Sequence, residues 1–224
     1  VRLTASGVRF AAVYSNELAL CRLAIPGLFS VYNALGVLGV GLALGLTLQQ
    51  AADALASAKG VKGRVETVPT DGDYAIVIDY AHTPDALENV LKALRGVTRG
   101  RLIAVFGCGG DRDHGKRPMM GEIGGRLADY CILTSDNPRN EDPYAILAAI
   151  EEGIRHAKGE YTVIENRREA IRQALLMARE GDLVVLAGKG HETYQEIRGV
   201  KRPFDEKVVV RELLDEMQAE EAAH

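Results

Sequence analysis

Two arginines, Arg112 and Arg139, stand in short polar stretches that follow two apolar runs, Leu102–Phe106 and Tyr130–Leu133. The first stretch reads Gly107-Cys108-Gly109-Gly110-Asp111-Arg112 and the second Ser135-Asp136-Asn137-Pro138-Arg139. A guanidinium is a planar, permanently charged fork suited to carboxylates and phosphates. A third polar stretch, Gly188-Lys189-Gly190-His191-Glu192, follows the run Leu183–Ala187 and offers Glu192 as an acceptor for a cation. A fourth, Tyr80-Ala81-His82-Thr83, follows Tyr74–Asp79. Two guanidiniums and one carboxylate around a crevice suit a zwitterion with acidic groups at both ends. A nucleotide alone would not need Glu192.

Other chemistries find no support in the spacing. Neither glycine-containing stretch matches the dinucleotide pattern GxGxxG or the phosphate loop GxxxxGK[ST]. No serine sits on a GxSxG elbow. The five histidines, His82, His114, His156, His191 and His224, have no metal-ligand spacing, so no metal site is expected here.

The elements that position these residues are readable in outline. Short apolar runs bounded by turn residues predict buried strands, and the helix between the two arginine-bearing loops is expected over Pro118–Asp129. Pro84 opens a helix over Asp85–Leu94, and Asp142 caps and Pro143 opens one over Tyr144–His156. Tyr161–Ile164 reads as a short strand, and Arg167–Arg179 as a helix closed by Gly181. The last helix is expected over Glu206–Met217, with a frayed Glu-Ala-rich tail beyond it. Strands alternating with helices imply an α/β fold, a mostly parallel sheet with helices on both faces. All four polar stretches then emerge at one edge, the crevice where such sheets bind ligands.

Before this pattern come a hairpin, Gly7–Tyr14 and Leu18–Ala24 around Ser15-Asn16, and a long apolar helix that follows Pro26-Gly27 and stops near Gly45. Thr47 is a good N-cap for a further helix over Leu48–Ala58. The break at Gly60–Gly63 predicts a boundary near Arg64, giving units 1–64 and 65–224. The first unit is expected to be the end of a domain that begins upstream, since the chain starts at Val1 without Met. The apolar stretch Ala34–Leu46 is shorter than the roughly 20 residues that cross a bilayer, and no basic-then-apolar leader precedes it. A net charge of −4 and 26% charged residues call for neither nucleic acid nor membrane, so small molecules are the expected partners. Three widely spaced cysteines, Cys21, Cys108 and Cys131, predict a reducing, cytoplasmic compartment.

The stretches Asp79-Tyr80-Ala81-His82-Thr83-Pro84-Asp85-Ala86-Leu87, Phe106–Asp113, Asp136-Asn137-Pro138-Arg139 and Gly188–Glu192 together resemble the Mur ligases of peptidoglycan synthesis. More narrowly, they are similar to the members that add the third residue of the stem peptide. The likeness runs from about Gly27 to Leu214. It implies the end of a central ATPase domain followed by a Rossmann-like domain for an incoming amino acid. The family's GTxGKT loop, its modified lysine and its magnesium ligands are not in this sequence, and Ser30 stands where the family usually has Asn.

The resemblance implies ATP-driven amide formation with Mg2+. The D-Glu γ-carboxylate of UDP-MurNAc-L-Ala-D-Glu is phosphorylated to an acyl phosphate. An amine of the amino acid then attacks, and the tetrahedral intermediate loses phosphate. Carried over by position, Arg112, Asp136, Asn137, Pro138 and Arg139 correspond to contacts to the amino acid's carboxylates or to the loop shaping them. Gly188 and Glu192 correspond to contacts to its distal ammonium, and Asn33, Arg64, Asp79 and His82 to residues near ATP. No catalytic residue falls in this chain, which is expected to be a monomer and inactive alone. The Asp-Asn-Pro-Arg sequence favours meso-diaminopimelate over lysine, because Arg139 would otherwise be desolvated without an anion. A lysine-adding, dipeptide-adding or folylpolyglutamate-forming ligase of the superfamily, or a binding module without turnover, stands as the alternative.

Overall fold

The computed structural model describes residues 1–4 and 7–222. The first unit is a three-stranded antiparallel sheet, β1 (Arg2–Thr4), β2 (Gly7–Tyr14) and β3 (Glu17–Leu23), with Ser15 at φ 53° in the expected turn. Alternate residues Phe10, Ala12, Ala19 and Cys21 point to one side and are covered by α1 (Leu28–Ala43) and α2 (Leu48–Ala56). Thr47 caps α2 through a reciprocal bond with Gln50, as its sequence position suggests. Three-residue β1 is too short for alternation to betray it, and the sequence reading passes over it.

The rest of the chain carries the candidate site. It runs β4 (Glu66–Val68), β5 (Ala75–Asp79), α3 (Pro84–Arg95), β6 (Leu102–Phe106), α4 (Lys116–Leu127), β7 (Tyr130–Leu133) and α5 (Pro143–Ala157). It continues with β8 (Tyr161–Val163), α6 (Arg167–Met177), β9 (Leu183–Ala187), β10 (Tyr194–Ile197), β11 (Val200–Pro203) and α7 (Glu206–Ala222). The main sheet has six strands in the order β4-β5-β9-β6-β7-β8, all parallel except β4. The expected α/β architecture is therefore present. Side chains alternate between the two faces as strand geometry requires. Val77, Ala104, Phe106, Leu133 and Val185 pack under α3, α4 and α5. Ile76, Ile103, Val105, Ile132 and Leu186 pack under α6 and α7.

Two corrections concern the C-terminal part. The tail beyond Met217 does not fray there: α7 is helical to Ala222, with Arg168 and Arg172 on α6 bonded to Glu212, Glu216 and Glu220. Residues 194–203 form a β-hairpin, β10–β11, that the sequence reading leaves as loop. Its turn places Arg198 and Gly199 at φ 51° and 74°, the positive pair that a two-residue hairpin turn requires. The Arg198-Gly199 pair, with glycine at a positive φ, was the available signal.

At the carboxyl edge of the sheet, the first residue of α6 and the first of α7 form a fully buried ion pair. Arg167 Nη2 lies 2.8 Å from Glu206 Oε1, and both side chains are 0% exposed. Arg167 also donates to the carbonyls of Ser135 and Ala187, at 3.3 and 2.9 Å, and so ties together the ends of β7 and β9. Burial pushes the Glu206 carboxyl up, with Arg167 opposing. Removing one member of such a pair strands a charge. Arg167→Met should therefore lower stability by about 3–5 kcal/mol, and the double change Arg167→Met with Glu206→Leu should recover most of that loss. Urea unfolding of the two variants tests this; equal losses would contradict it.

Candidate functional site

The loops after β6 and β7 bring Arg112 and Arg139 to one place because they clasp each other through their backbones. Gly110 N–H donates to the Asn137 carbonyl at 2.9 Å, and Arg139 Nη1 donates to the Gly110 carbonyl at 2.8 Å. Asp111 Oδ2 accepts from the Asn140 side chain at 2.8 Å, and Glu141 accepts from Asp111 N–H and, at 2.9 Å, from Arg117. Contact this close demands glycine. A Cβ on Gly110 would sit 2.0 Å from the Pro138 carbonyl oxygen, and one on Gly107 would sit 1.9 Å from that of Thr134.

Arg139 itself has φ 51°, a left-handed backbone that non-glycine residues rarely adopt. The unforeseen hairpin holds it there. Arg139 N–H donates to the Glu196 carbonyl at 3.0 Å, and its own carbonyl accepts from Arg198 N–H at 2.7 Å. Glu196 Oε2 lies 3.5 Å from Arg139 Nε, and the side chain remains 18% exposed. The guanidinium is thus anchored at Nε and Nη1 while staying partly open to solvent, and Glu196 gives it an acidic neighbour that the sequence reading, which left Arg139 without an anion unless a ligand supplied one, did not include. Arg112 is exposed, and its Nη1 donates to the Asp111 carbonyl.

A cavity of about 540 Å³ opens at this edge. Arg112, Asp136, Asn137, Arg139, Gly188 and Glu192 all line it, together with Tyr80, His82 and Lys116. Pro138 is the exception among the amino-acid set; it contributes the carbonyl that packs on Gly110. Hollows of about 590 and 560 Å³ open at the opposite edge of the sheet, where the strands begin. In open parallel sheets ligands bind outside the carboxyl ends, which favours the smaller cavity.

The floor of the cavity is a charge cluster. Lys189, 0% exposed, reaches Asn137 Oδ1 and Glu192 Oε2, both at 3.1 Å, and lies 3.6 Å from Asp136 Oδ1. Asn137 Nδ2 donates to Glu192 Oε2 at 2.9 Å. Gly188, at φ 118°, donates its N–H to the Asp79 carbonyl. Cys108, close by, is not a nucleophile: burial pushes its thiol up to about 12, leaving it protonated.

The second residue set divides. Arg64 lies over the Tyr80 ring at 5.1 Å, and Tyr80 packs against His82 and His191 with centroids 4.5 and 4.8 Å apart. His82 Nδ1 is 2.8 Å from the Tyr80 carbonyl. Asp79 is buried and accepts from Val65 N–H at 2.8 Å; burial pushes its carboxyl up, against that bond and one from Ala81 N–H. Through it the segment leading into β4 is fixed beside the cavity. Val65 takes φ 44°, and the strand β4 begins at the next residue, Glu66. Asn33 stands apart, at an exposed position on α1.

Lys189, Lys116 and Glu196 were missed as site residues. Lys189 stands inside the third polar stretch, but its burial could not be read there; Lys116 carried no signal, and Glu196 depends on the hairpin. Lys116 Nζ donates to the His82 carbonyl at 2.7 Å, linking the cavity wall to the Tyr80 cluster.

Comparison with known proteins bears on this geometry. A ligase named UDP-N-acetylmuramoyl-L-alanyl-D-glutamate--2,6-diaminopimelate ligase, from Caldanaerobacter subterraneus, is 52% identical over 216 residues, 96% of this chain and 45% of that protein. One of the same name from Clostridioides difficile is 46% identical over 217 residues, covering 97% of this chain and 45% of that protein. A solved structure of a ligase with that name superposes at a TM-score of 0.77 with 42% identity, over 96% of this chain and 44% of that one. The UDP-N-acetylmuramate-alanine ligase of Thermotoga maritima, at 19% identity and a TM-score of 0.69 over 97% of this chain and 44% of that one, shares the fold. The chain spans a little under half the length of these relatives. The family described as Mur ligase, glutamate ligase domain, matches residues 63–190, and this chain belongs to the Mur ligase family.

Proposed function

We propose that this chain is the amino-acid-binding part of an ATP-dependent ligase that joins meso-diaminopimelate to UDP-MurNAc-L-Ala-D-Glu. In this reading residues 65–224 receive the amino acid and residues 1–64 are the end of the ATP-binding domain. The observation that carries it is the pairing of Arg112 and Arg139 above an acidic floor in one cavity. The names of the relatives agree with it.

The chemistry assigned to this chain is binding and orientation. One carboxylate of the diamino diacid meets the open part of Arg139 and the exposed Arg112, and Asn137 and Asp136 shape that end of the cavity. The distal ammonium meets Glu192 and the Gly188 carbonyl. With that carboxylate the distal one, which lysine lacks, the contacts hold the distal end of the ligand and leave the other amine to meet an acyl group presented from outside this chain. Such positioning turns a bimolecular encounter into an effectively unimolecular one. ATP with Mg2+ supplies the activation of the accepting carboxylate. Arg64, Tyr80, His82 and His191 offer a cation and ring faces that fit an adenine or a phosphate edge. Asn33 and Asp79 join them only in this proposal. In this reading Mg2+ is held with the ATP phosphates by the part of the ligase outside this chain.

The 224 residues alone should bind meso-diaminopimelate and hydrolyse no ATP. Titration calorimetry should show binding to diaminopimelate about tenfold to a hundredfold tighter than to L-lysine, the worth of one charge-assisted hydrogen bond to Arg139. Equal affinity for the two would defeat the assignment, and ATP turnover by this chain would overturn the division of labour. In the complete ligase, Arg139→Ala should raise the KM for diaminopimelate by about the same factor and leave that for ATP within about twofold. Steady-state kinetics with each substrate varied in turn tests this; a matching rise for both would contradict it.

A further inference from the structure

Lys189 is completely buried beneath the cavity, so it cannot itself touch a ligand. Yet the hydrogen-bond and ion-pair partners of its ammonium, Asn137, Glu192 and Asp136, all line the cavity. A lysine ammonium has three protons to place. Lys189 Nζ has Asn137 Oδ1 and Glu192 Oε2 at 3.1 Å, and Asp136 Oδ1 at 3.6 Å, with the Tyr194 ring centroid 5.7 Å away. Two consequences follow from these contacts.

The first is geometric. Asn137 Oδ1 accepts from Lys189 and, at 2.9 Å, from Glu196 N–H, so its amide cannot flip without setting Nδ2 against two donors. Nδ2 is therefore pointed at Glu192 Oε2, which receives it at 2.9 Å. Fixed through Oε2 by two donors, Glu192 keeps Oε1 for the cavity. The second is electrostatic. Asp136 and Glu192 bring two negative charges to the floor and Lys189 one positive charge. A surplus of one negative charge is left, matched to a single ammonium. Asp136 Oδ1 is buried without a hydrogen-bond partner, which leaves this floor short of a donor. Without Lys189, two carboxylates would face each other across the floor and Asn137 Oδ1 would be held by the Glu196 N–H alone.

We propose that Lys189 is a positioning residue for the distal ammonium of the amino acid, acting through Asn137 and Glu192. The proposal rests on the reading under Proposed function and deepens it: carboxylate recognition belongs to the arginines, and ammonium recognition is set from below by a lysine the ligand never meets.

The test is calorimetry on the 224-residue chain with two ligands, meso-diaminopimelate and 2-aminopimelate. The second keeps both carboxylates and lacks the distal ammonium. Lys189→Met should weaken binding of diaminopimelate by about tenfold or more and change that of 2-aminopimelate by less than about twofold, since only the first uses the ammonium subsite. If Lys189→Met does not fold, as near-ultraviolet circular dichroism would show, Lys189→Gln, which removes the charge and keeps a polar end in place, should fold and show the same selective loss. Equal weakening of both ligands, or of neither, would overturn the proposal. Failure of the unsubstituted chain to bind either ligand is a different result, and overturns the diaminopimelate reading on which the proposal rests.

Discussion

The site depends on one contact between two loops: the Gly110 N–H to Asn137 carbonyl bond, returned by Arg139 to the Gly110 carbonyl. Nothing larger than glycine fits at this crossing, because the backbones approach to within the space a Cβ would take. The crossing converts two guanidiniums separated by a helix and a strand, α4 and β7, into neighbours above one cavity. It also places Arg139 in a left-handed backbone conformation, which is unfavourable for a side chain of this type. The β10–β11 hairpin compensates by bonding both sides of the Arg139 peptide. Strain, glycine and hairpin are thus one arrangement, built to hold one side chain.

Beneath that crossing lies a dense set of charges. Arg167 and Lys189 are fully buried cations, and Glu206, Asp136 and Glu192 are their acidic neighbours. Burying ion pairs costs desolvation that their attraction often fails to repay, so such a cluster is a weak reason for stability. Its value lies in specificity of position. Arg167 grips the ends of β7 and β9, the two strands whose loops carry Asp136 and Gly188. The cluster fixes the loops from inside the protein while the clasp fixes them from the surface.

Much of this was legible in the sequence. Strand runs such as Leu102–Phe106 and Leu183–Ala187 are continuous and apolar because the sheet is covered on both faces, and their limits were readable to the residue. The caps at Thr47 and Asp142 and the prolines at 84 and 143 announced their helices. Alternation of strands and helices then put Arg112, Arg139 and Glu192 at one edge. What escaped was whatever depends on partners far away in the chain. Lys189 reads as one more polar loop residue until its ammonium is seen enclosed by Asp136, Asn137 and Glu192. The hairpin escaped because Tyr194–Pro203 is half-exposed and charged, so burial leaves little mark on its composition. The tail beyond Met217 was misjudged because the arginines that hold it lie on α6.

The chain enters β4 where Asp79 receives Val65 N–H and Arg64 covers Tyr80. That entry sits beside the cavity, so the cluster assigned to the nucleotide and the cavity assigned to the amino acid share a wall through Lys116 and His82. The account stands or falls on what the paired guanidiniums hold. A crystal structure of this chain with meso-diaminopimelate tests it most directly. It should show one ligand carboxylate within charge-assisted hydrogen-bond reach, about 2.7–2.9 Å, of both Arg112 and Arg139, and the distal ammonium against Glu192. A ligand bound elsewhere, or one whose carboxylate touches neither arginine, would contradict it.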